Sequence, residues 1–214
     1  MEHKTISLAE QVFERLESEI LSGKYQRGEI LTEMKLVSDL GVSRTPIREA
    51  LRRLEQEHII DVTGKGILIL GVTQKDLEDI FNIRIRIEGM ASSEAAKRIT
   101  PEQLEELRET LELQEFYVTK KDADRIKVMD SKFHQLVYQF SGSAVYYDTL
   151  IPLHKKVQKY RKASVQNESR ATQSAKEHRA IFEAIEAHNA ELAESYTIAH
   201  IQNARDHILN RGIN

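Results

Sequence analysis

The chain has 214 residues, 30% of them charged and 40% hydrophobic, with a formal net charge of −3. Its lack of cysteine excludes a fold that depends on disulfides. No stretch reaches the roughly 18 uninterrupted apolar residues of a membrane helix, and the acidic, amphipathic start has no apolar signal region. We therefore expect a cytoplasmic protein of one or two domains that does not associate with a membrane.

Two helices are predicted before residue 42. Apolar residues recur every four positions from Leu8 to Ile20, which is typical of an amphipathic helix, and Ser22-Gly23 is expected to end it. A shorter helix is expected between Thr32, a good N-cap, and Gly41, because glycine readily adopts the left-handed backbone that closes a helix. The first helix is expected to pack against the helix-turn-helix that begins with the second.

A third helix follows at once, with Ser43 as a good N-cap, and runs to about Glu57. One side of it is apolar, whereas Arg44, Arg48 and Arg52 lie within about 80° of one another on another side. An arginine-lined second helix of a helix-turn-helix is suited to a DNA major groove, where arginine contacts guanine edges or phosphates. The alternative interpretation is a solvated helix with surface arginines. The candidate DNA contacts of this segment are Ser43, Arg44, Thr45, Arg48 and Arg52.

A β-hairpin is predicted directly after this helix. Two short β-branched runs, Ile59–Val62 and Ile67–Leu70, flank the turn Thr63-Gly64-Lys65-Gly66. A hairpin that follows a recognition helix is a two-stranded wing, and Lys65 at its tip can reach the minor groove or phosphates. The hairpin therefore favours DNA binding over the solvated helix.

The run GVSRTPIREALRRLEQEHII and the glycine-lysine-glycine wing resemble the GntR family of bacterial winged-helix transcription regulators. One position departs from the pattern, because Met34 stands where many members have an arginine. The resemblance implies DNA contacts at Arg44, Thr45, Arg48, Gly64 and Lys65.

The charge of this segment is not basic overall. Residues 1–70 hold ten Lys and Arg against twelve Asp and Glu, a net charge of −2, so the positive charge is local to the third helix and the wing. A homodimer doubles that local positive surface. We expect DNA affinity to depend on dimerisation and to fall with salt.

The pattern becomes purely helical after Gly71-Val72-Thr73, which predicts domains of residues 1–72 and 73–214. The predicted fold is mainly α, a winged helix-turn-helix followed by an all-α antiparallel six-helix bundle. Its six helices are expected at about 73–99, 101–120, 121–140, 144–165, 171–187 and 190–210.

Four residues of this bundle form a candidate metal site. Asp130 and His134 are one helical turn apart, and His178 and His200 lie at similar distances before and after the predicted turn at Asn189. If the helix of Asp130 packs beside this helical hairpin, one carboxylate and three imidazoles converge, a set suited to Zn²⁺, Ni²⁺ or Mn²⁺. The alternative is that these histidines are ordinary core or surface residues.

About residues 74–211 resemble the FCD ligand-binding domain of GntR regulators, in its shorter, VanR-like branch. Asp-x-x-x-His on one helix and a single histidine on each of the last two helices are all present, which implies that Asp130, His134, His178 and His200 hold a divalent metal. The resemblance also implies a small organic acid as effector. Candidate contacts to it are Arg84, Arg161 and Asn203, although Arg84 can instead form an i, i+4 salt bridge to Glu88.

The leading hypothesis is a homodimeric DNA-binding regulator that reads a pseudo-palindromic operator and represses until the acid binds. A metal-dependent hydrolase or lyase is the second hypothesis, although the sequence has no HExxH motif and no carboxylate placed by motif as a general base. A third is a DNA-binding protein with a purely structural metal.

Overall fold

The structure is a computed structural model that describes residues 6–157, 160 and 168–210. The chain divides into two compact units between Thr73 and Gln74. None of the helices in the described part is long and apolar enough to cross a membrane.

The N-terminal unit is a winged helix-turn-helix. Its central strand pairs antiparallel with a strand on each side, in the order β1-β3-β2. The predicted two-stranded wing is confirmed as β2 and β3, and the two-residue strand β1 adds to it. So short a strand shows no alternation of apolar and polar residues, so the sequence pattern could not indicate it. The elements are α1 (Leu8–Leu21), β1 (Ile30–Leu31), α2 (Glu33–Leu40), α3 (Arg44–Gln56), β2 (Ile60–Thr63) and β3 (Gly66–Ile69).

The ends of α2 and α3 fix the turn between them. Thr32 caps α2 by accepting a hydrogen bond from the Lys35 amide at 3.1 Å, and Gly41 ends the helix with φ of 67°. Ser43 occupies the predicted N-cap position of α3, but its side chain makes no capping hydrogen bond. The Ser43 hydroxyl is exposed at the start of α3.

The core of this unit turns the arginines of α3 outward. Leu36, Ile47 and Leu54 are fully buried, and α1 packs on α3. Burial of the Ile47 side of α3 leaves Arg44 and Arg48 exposed on its other side.

The C-terminal unit contains six helices in the described residues, and the predicted helical bundle is confirmed. The predicted helix at 144–165 ends earlier, at Lys156, with Val157 as its C-cap. Of residues 158–165 only Tyr160 is among the described residues. The helices are α4 (Gln74–Arg98), α5 (Pro101–Lys120), α6 (Ala123–Phe140), α7 (Ala144–Lys156), α8 (Glu168–Glu186) and α9 (Ala190–Leu209).

Two local features hold the last helices in place. Asn189 caps α9 by accepting a hydrogen bond from the Leu192 amide at 3.1 Å, directly after His188 with φ of 52°. Close packing of α4 on α9 requires Gly89, since a Cβ there would lie 2.9 Å from Ile198 Cγ1. The tight turn between α8 and α9 is what sets residues on these two helices side by side.

Candidate metal centre and nucleic-acid interface

The structure brings together the three histidines that the sequence suggests as metal ligands and places the fourth residue, Asp130, beside one of them. The Nε2 atom of His200 lies 3.2 Å from His178 Nε2 and 3.3 Å from His134 Nε2. Asp130 Oδ1 lies 3.7 Å from His178 Nε2. All four side chains are buried, with at most 3% of each residue exposed. Helices α6, α8 and α9 therefore converge on one polar point inside an apolar bundle.

Each histidine is held through its other ring nitrogen. His134 Nδ1 lies 3.1 Å from Glu88 Oε2, His178 Nδ1 lies 2.8 Å from Gln114 Oε1, and His200 Nδ1 lies 2.6 Å from Glu177 Oε2. Carboxylate and amide oxygens accept hydrogen bonds, so each Nδ1 donates its hydrogen. This tautomer leaves an unshared electron pair on every Nε2, which is the arrangement that outer hydrogen bonds impose on metal-binding histidines.

These donors fit a divalent metal. Nitrogens about 2.1 Å from one ion lie roughly 3.0–3.4 Å from one another, and the two measured Nε2 separations fall in that interval. Without a cation, three converging electron pairs and a carboxylate repel one another. Asp130, His134, His178 and His200 are the residues that would hold the ion, which when bound offers a positive charge to an anionic ligand.

Burial and hydrogen bonding set the charges around this point. Burial lowers the pKa of His200 to about 4, against the opposing hydrogen bond to Glu177, so the ring is neutral at pH 7. Burial also opposes ionisation of the two supporting carboxyls, but the hydrogen bonds that they accept from the histidines and the charge of the neighbouring arginines outweigh it. The pKa of Glu177 falls to about 2 beside His200 and Arg170, and that of Glu88 falls well below its usual range beside Arg84 and His134.

A cavity opens beside the histidines, with about 400 Å³ of empty space that includes its mouth. Arg84 and Arg170 line it together with Asp130, His134 and His200. The remaining wall is mostly apolar and consists of Phe81, Ile201, Ala204 and Ile208, with the hydroxyl of Ser174. The cavity wall thus combines cationic and apolar side chains.

Both cavity arginines are already paired with a carboxylate that supports a histidine. Arg84 forms a fully buried ion pair with Glu88, and Arg170 Nη1 lies 3.0 Å from Glu177 Oε2. Two parallel chains of contact result, one from Arg84 through Glu88 to His134, the other from Arg170 through Glu177 to His200.

The three predicted effector contacts have different outcomes. Arg84 lies on the cavity wall and also forms the salt bridge to Glu88 that was its alternative interpretation. Asn203 is exposed and donates its amide to Glu177 Oε1 at 2.9 Å, and it is not part of the cavity wall. Arg161 lies outside the described residues.

Sequence reasoning missed most of the surrounding residues. Gln114 and Arg170 carry no motif, and Gln114 meets His178 from 64 positions away. Glu177 adjoins His178 in sequence but bonds to His200 instead. Sequence reasoning also missed the buried pair of Tyr138 and His154, in which Tyr138 Oη lies 3.4 Å from His154 Nδ1. Burial lowers the pKa of His154 well below its usual value. Among these supporting residues, the sequence could have indicated only Glu88, through its i, i+4 spacing from Arg84.

The candidate DNA-binding side chains of α3 are exposed, and two of them contact the start of α2. Arg44, Arg48 and Arg52 all face solvent, as does Thr45. The Arg44 Nη2 group donates to Met34 Sδ at 3.0 Å. The Arg48 Nε group donates to both carboxylate oxygens of Glu33, each at 3.1 Å.

The tip of the wing is a compact turn. Thr63 Oγ1 donates to the Gly66 carbonyl at 2.9 Å and accepts from the Lys65 amide at 3.2 Å. Gly64 and Lys65 are both exposed at this tip, as a contact to DNA requires. Gly66 has φ of 130°, and a Cβ there would lie 2.6 Å from the Leu31 carbonyl oxygen.

Comparison with known families matches both units. Residues 8–69 match the bacterial regulatory proteins of the gntR family, and residues 79–203 match the FCD domain. The resemblance seen in the sequence is therefore confirmed on both sides of the boundary.

Full-length relatives agree with this assignment. An uncharacterized HTH-type transcriptional regulator, YdhC of Bacillus subtilis, is 30% identical over 200 residues, which cover 92% of this chain and 89% of YdhC. The transcriptional repressor RspR of Escherichia coli is 26% identical over 194 residues, 90% of this chain and 85% of RspR. The structure of Escherichia coli McbR/YncC has the same fold, with a TM-score of 0.83 at 23% identity over 97% of this chain and 99% of that one.

Family and relatives alike are transcriptional regulators, which removes the hydrolase or lyase hypothesis. The chain belongs to the GntR family of bacterial regulatory proteins and is a DNA-binding transcriptional regulator with an FCD domain.

Proposed function

We propose that this regulator is a homodimeric, cytoplasmic repressor whose operator affinity is lowered by a small organic acid bound at a divalent metal centre. The observation that carries the proposal is the convergence of three Nε2 atoms and one carboxylate beside a cavity lined by two arginines. The cavity limits the acid to a small molecule with a short apolar portion.

The charge of the site supports a role for the metal in acid binding. Asp130, Glu88 and Glu177 give three negative charges, and Arg84 and Arg170 give two positive ones, so the described site has a formal charge of −1. A divalent ion reverses this to +1. An organic anion is therefore repelled before the metal binds and attracted afterwards.

The acid also meets groups that can respond to it. A carboxylate near Arg84 competes with Glu88 for the guanidinium, and Glu88 in turn holds His134. Arg84 and Glu88 lie on α4, which begins three residues after Gly71 at the end of the wing segment. We propose that this competition shifts α4 and thereby changes operator affinity, since a ligand shifts an equilibrium only through contacts that differ between the two states.

For DNA binding we propose that Ser43, Arg44, Thr45, Arg48 and Arg52 of α3 enter the major groove while Gly64 and Lys65 of the wing contact the adjacent backbone or minor groove. All seven residues are exposed. A homodimer presents two such surfaces to the two halves of a pseudo-palindromic operator.

The test is a thermal-shift screen of the purified protein against small carboxylates, each with and without Zn²⁺, Ni²⁺ or Mn²⁺. A ligand at about 100 times its Kd stabilises the native state by roughly 2.7 kcal/mol. We expect one acid to raise the melting temperature only in the presence of metal, and to release the protein from operator DNA. His178→Ala should abolish both effects, whereas His58→Asn, at an exposed histidine of the other unit, should abolish neither.

Stabilisation by metal with no further effect of any acid would support the third hypothesis, a purely structural metal. No stabilisation by any metal would contradict the proposal.

A further inference from the structure

The contact between Glu33 and Arg48 places an acidic side chain on the surface that faces DNA. Glu33 is the first residue of α2, and its carboxylate accepts from Arg48 Nε across the helix-turn-helix, 15 residues away in sequence. The two side chains keep 34% and 58% of their surface exposed. A carboxylate in this position repels phosphates, so it weakens DNA binding unless it has a compensating role.

Stability does not explain the pair. Exposed ion pairs contribute little to stability. In this one a single Nε–H group is shared by the two carboxylate oxygens, rather than two parallel hydrogen bonds being formed. A favourable interaction of Glu33 with the N-terminus of α2 is available to any acidic residue there and does not require Arg48.

The geometry has a specific consequence for Arg48. The Nε–H group of Arg48 donates to Glu33, and this hydrogen bond orients the guanidinium plane. The two terminal Nη groups lie on the side of the guanidinium away from Nε and take no part in this contact. Two terminal N–H groups are what bidentate contact to guanine O6 and N7 needs. An arginine whose orientation is already set loses less side-chain freedom on binding.

We infer that Glu33 is a positioning residue that orients Arg48 for base reading and so raises sequence specificity at the expense of non-specific affinity. This inference rests on the proposed DNA contact of Arg48. It assigns opposite effects to one side chain, since the same carboxylate repels every phosphate backbone but helps Arg48 only at the correct base pair.

The experiment compares two DNA duplexes bound by the full-length protein. The first is a sequence selected by the wild-type protein from a random library, and the second is its shuffled counterpart. Their Kd values are measured by fluorescence anisotropy at fixed salt. Glu33→Ala removes both the charge and the acceptor of the Arg48 Nε–H group. It should bind the shuffled duplex more tightly, and the ratio of the shuffled-duplex Kd to the selected-duplex Kd should fall about fivefold or more, a partial loss of one good base contact.

Two further variants separate the possible causes. Glu14→Ala removes the same charge from an exposed position of α1 and should leave the ratio within about twofold of the wild type. In an Arg48→Ala background, Glu33→Ala should no longer change the ratio, because the group that it positions is absent. Equal melting temperatures of Glu33→Ala and wild type check that the fold is intact.

An unchanged ratio for Glu33→Ala, with both duplexes bound more tightly by the same factor, would overturn the positioning role and reduce Glu33 to a repulsive charge. If Arg48→Ala itself leaves the ratio unchanged, the proposed base contact of Arg48 is what fails, so the two ideas are tested separately.

Discussion

Replacement of Gly66 by alanine is expected to destabilise the N-terminal unit strongly. The backbone at Gly66 has φ of 130°, a conformation that residues with a Cβ rarely adopt, at a cost of about 1–3 kcal/mol. The new Cβ would also lie 2.6 Å from the Leu31 carbonyl oxygen and 2.9 Å from Ile30 Cγ2, closer than van der Waals contact allows. Strand β1 must move away or β3 must distort, so we expect a total loss of at least about 2 kcal/mol.

Scanning calorimetry of the full chain measures this loss. For a unit of this size, 1 kcal/mol corresponds to about 4–8 °C, so the transition of the N-terminal unit should fall by roughly 8–16 °C. Gly64→Ala is the matched control two residues away, because its φ is not left-handed and no atom lies within 4 Å of the added Cβ. Equal melting temperatures for the two variants would refute the reasoning.

Three further predictions concern the site and the wing. Glu177→Gln should weaken metal binding about 10–100-fold in competition with a chelator, because the Glu177 carboxylate holds His200 Nδ1. The control Glu183→Gln, at an exposed position of α8, should leave metal affinity unchanged. A metal affinity of Glu177→Gln within twofold of wild type would count against this supporting role. The metal-free protein should lose stability as the pH falls from about 6.5 to 4, since His200 with a pKa of about 4 takes up a proton mainly on unfolding, and His200→Gln should show a flatter profile of urea midpoint against pH. Lys65→Gln should weaken binding to selected and shuffled duplexes alike and reduce the slope of log K against log salt by about one, so a loss confined to the selected duplex would argue against a backbone contact.

The helices and the candidate ligands could be predicted because they follow local rules. Apolar periodicity and capping residues such as Thr32 and Gly41 define the helix ends, and both cap as expected. The i, i+4 spacing of Asp130 and His134 also follows from helix geometry alone. The similar distances of His178 and His200 from the turn at Asn189 then singled out two more of the eight histidines, and the family resemblance supported all four positions.

Contacts between distant residues could not be predicted in this way. Gln114 supports His178 from another helix, and no periodicity distinguishes it from a solvent-facing glutamine. Arg170 lies on the cavity wall only because α8 and α9 pack in one particular rotation. Glu33 is a further example, since its adjacency to Arg48 depends on the angle between α2 and α3.

The sequence also did not indicate that the charged residues Arg84 and Glu88 are buried. The spacing of Arg84 and Glu88 indicates an ion pair but does not say whether it is exposed. Both side chains are at most 2% exposed, and Glu88 also supports His134. Removing one partner of a buried pair leaves an uncompensated buried charge, whereas the same pair on a surface is a minor contribution to stability.

Asp130, His134, His178 and His200 are proposed to hold one divalent metal ion. The most direct measurement is the metal stoichiometry and affinity of the purified protein, by competition titration with a chromophoric chelator and elemental analysis. We predict one ion per chain for the wild type and for His58→Asn, and loss of tight binding for His178→Ala. Tight binding that survives His178→Ala, or none in the wild type, would contradict the account.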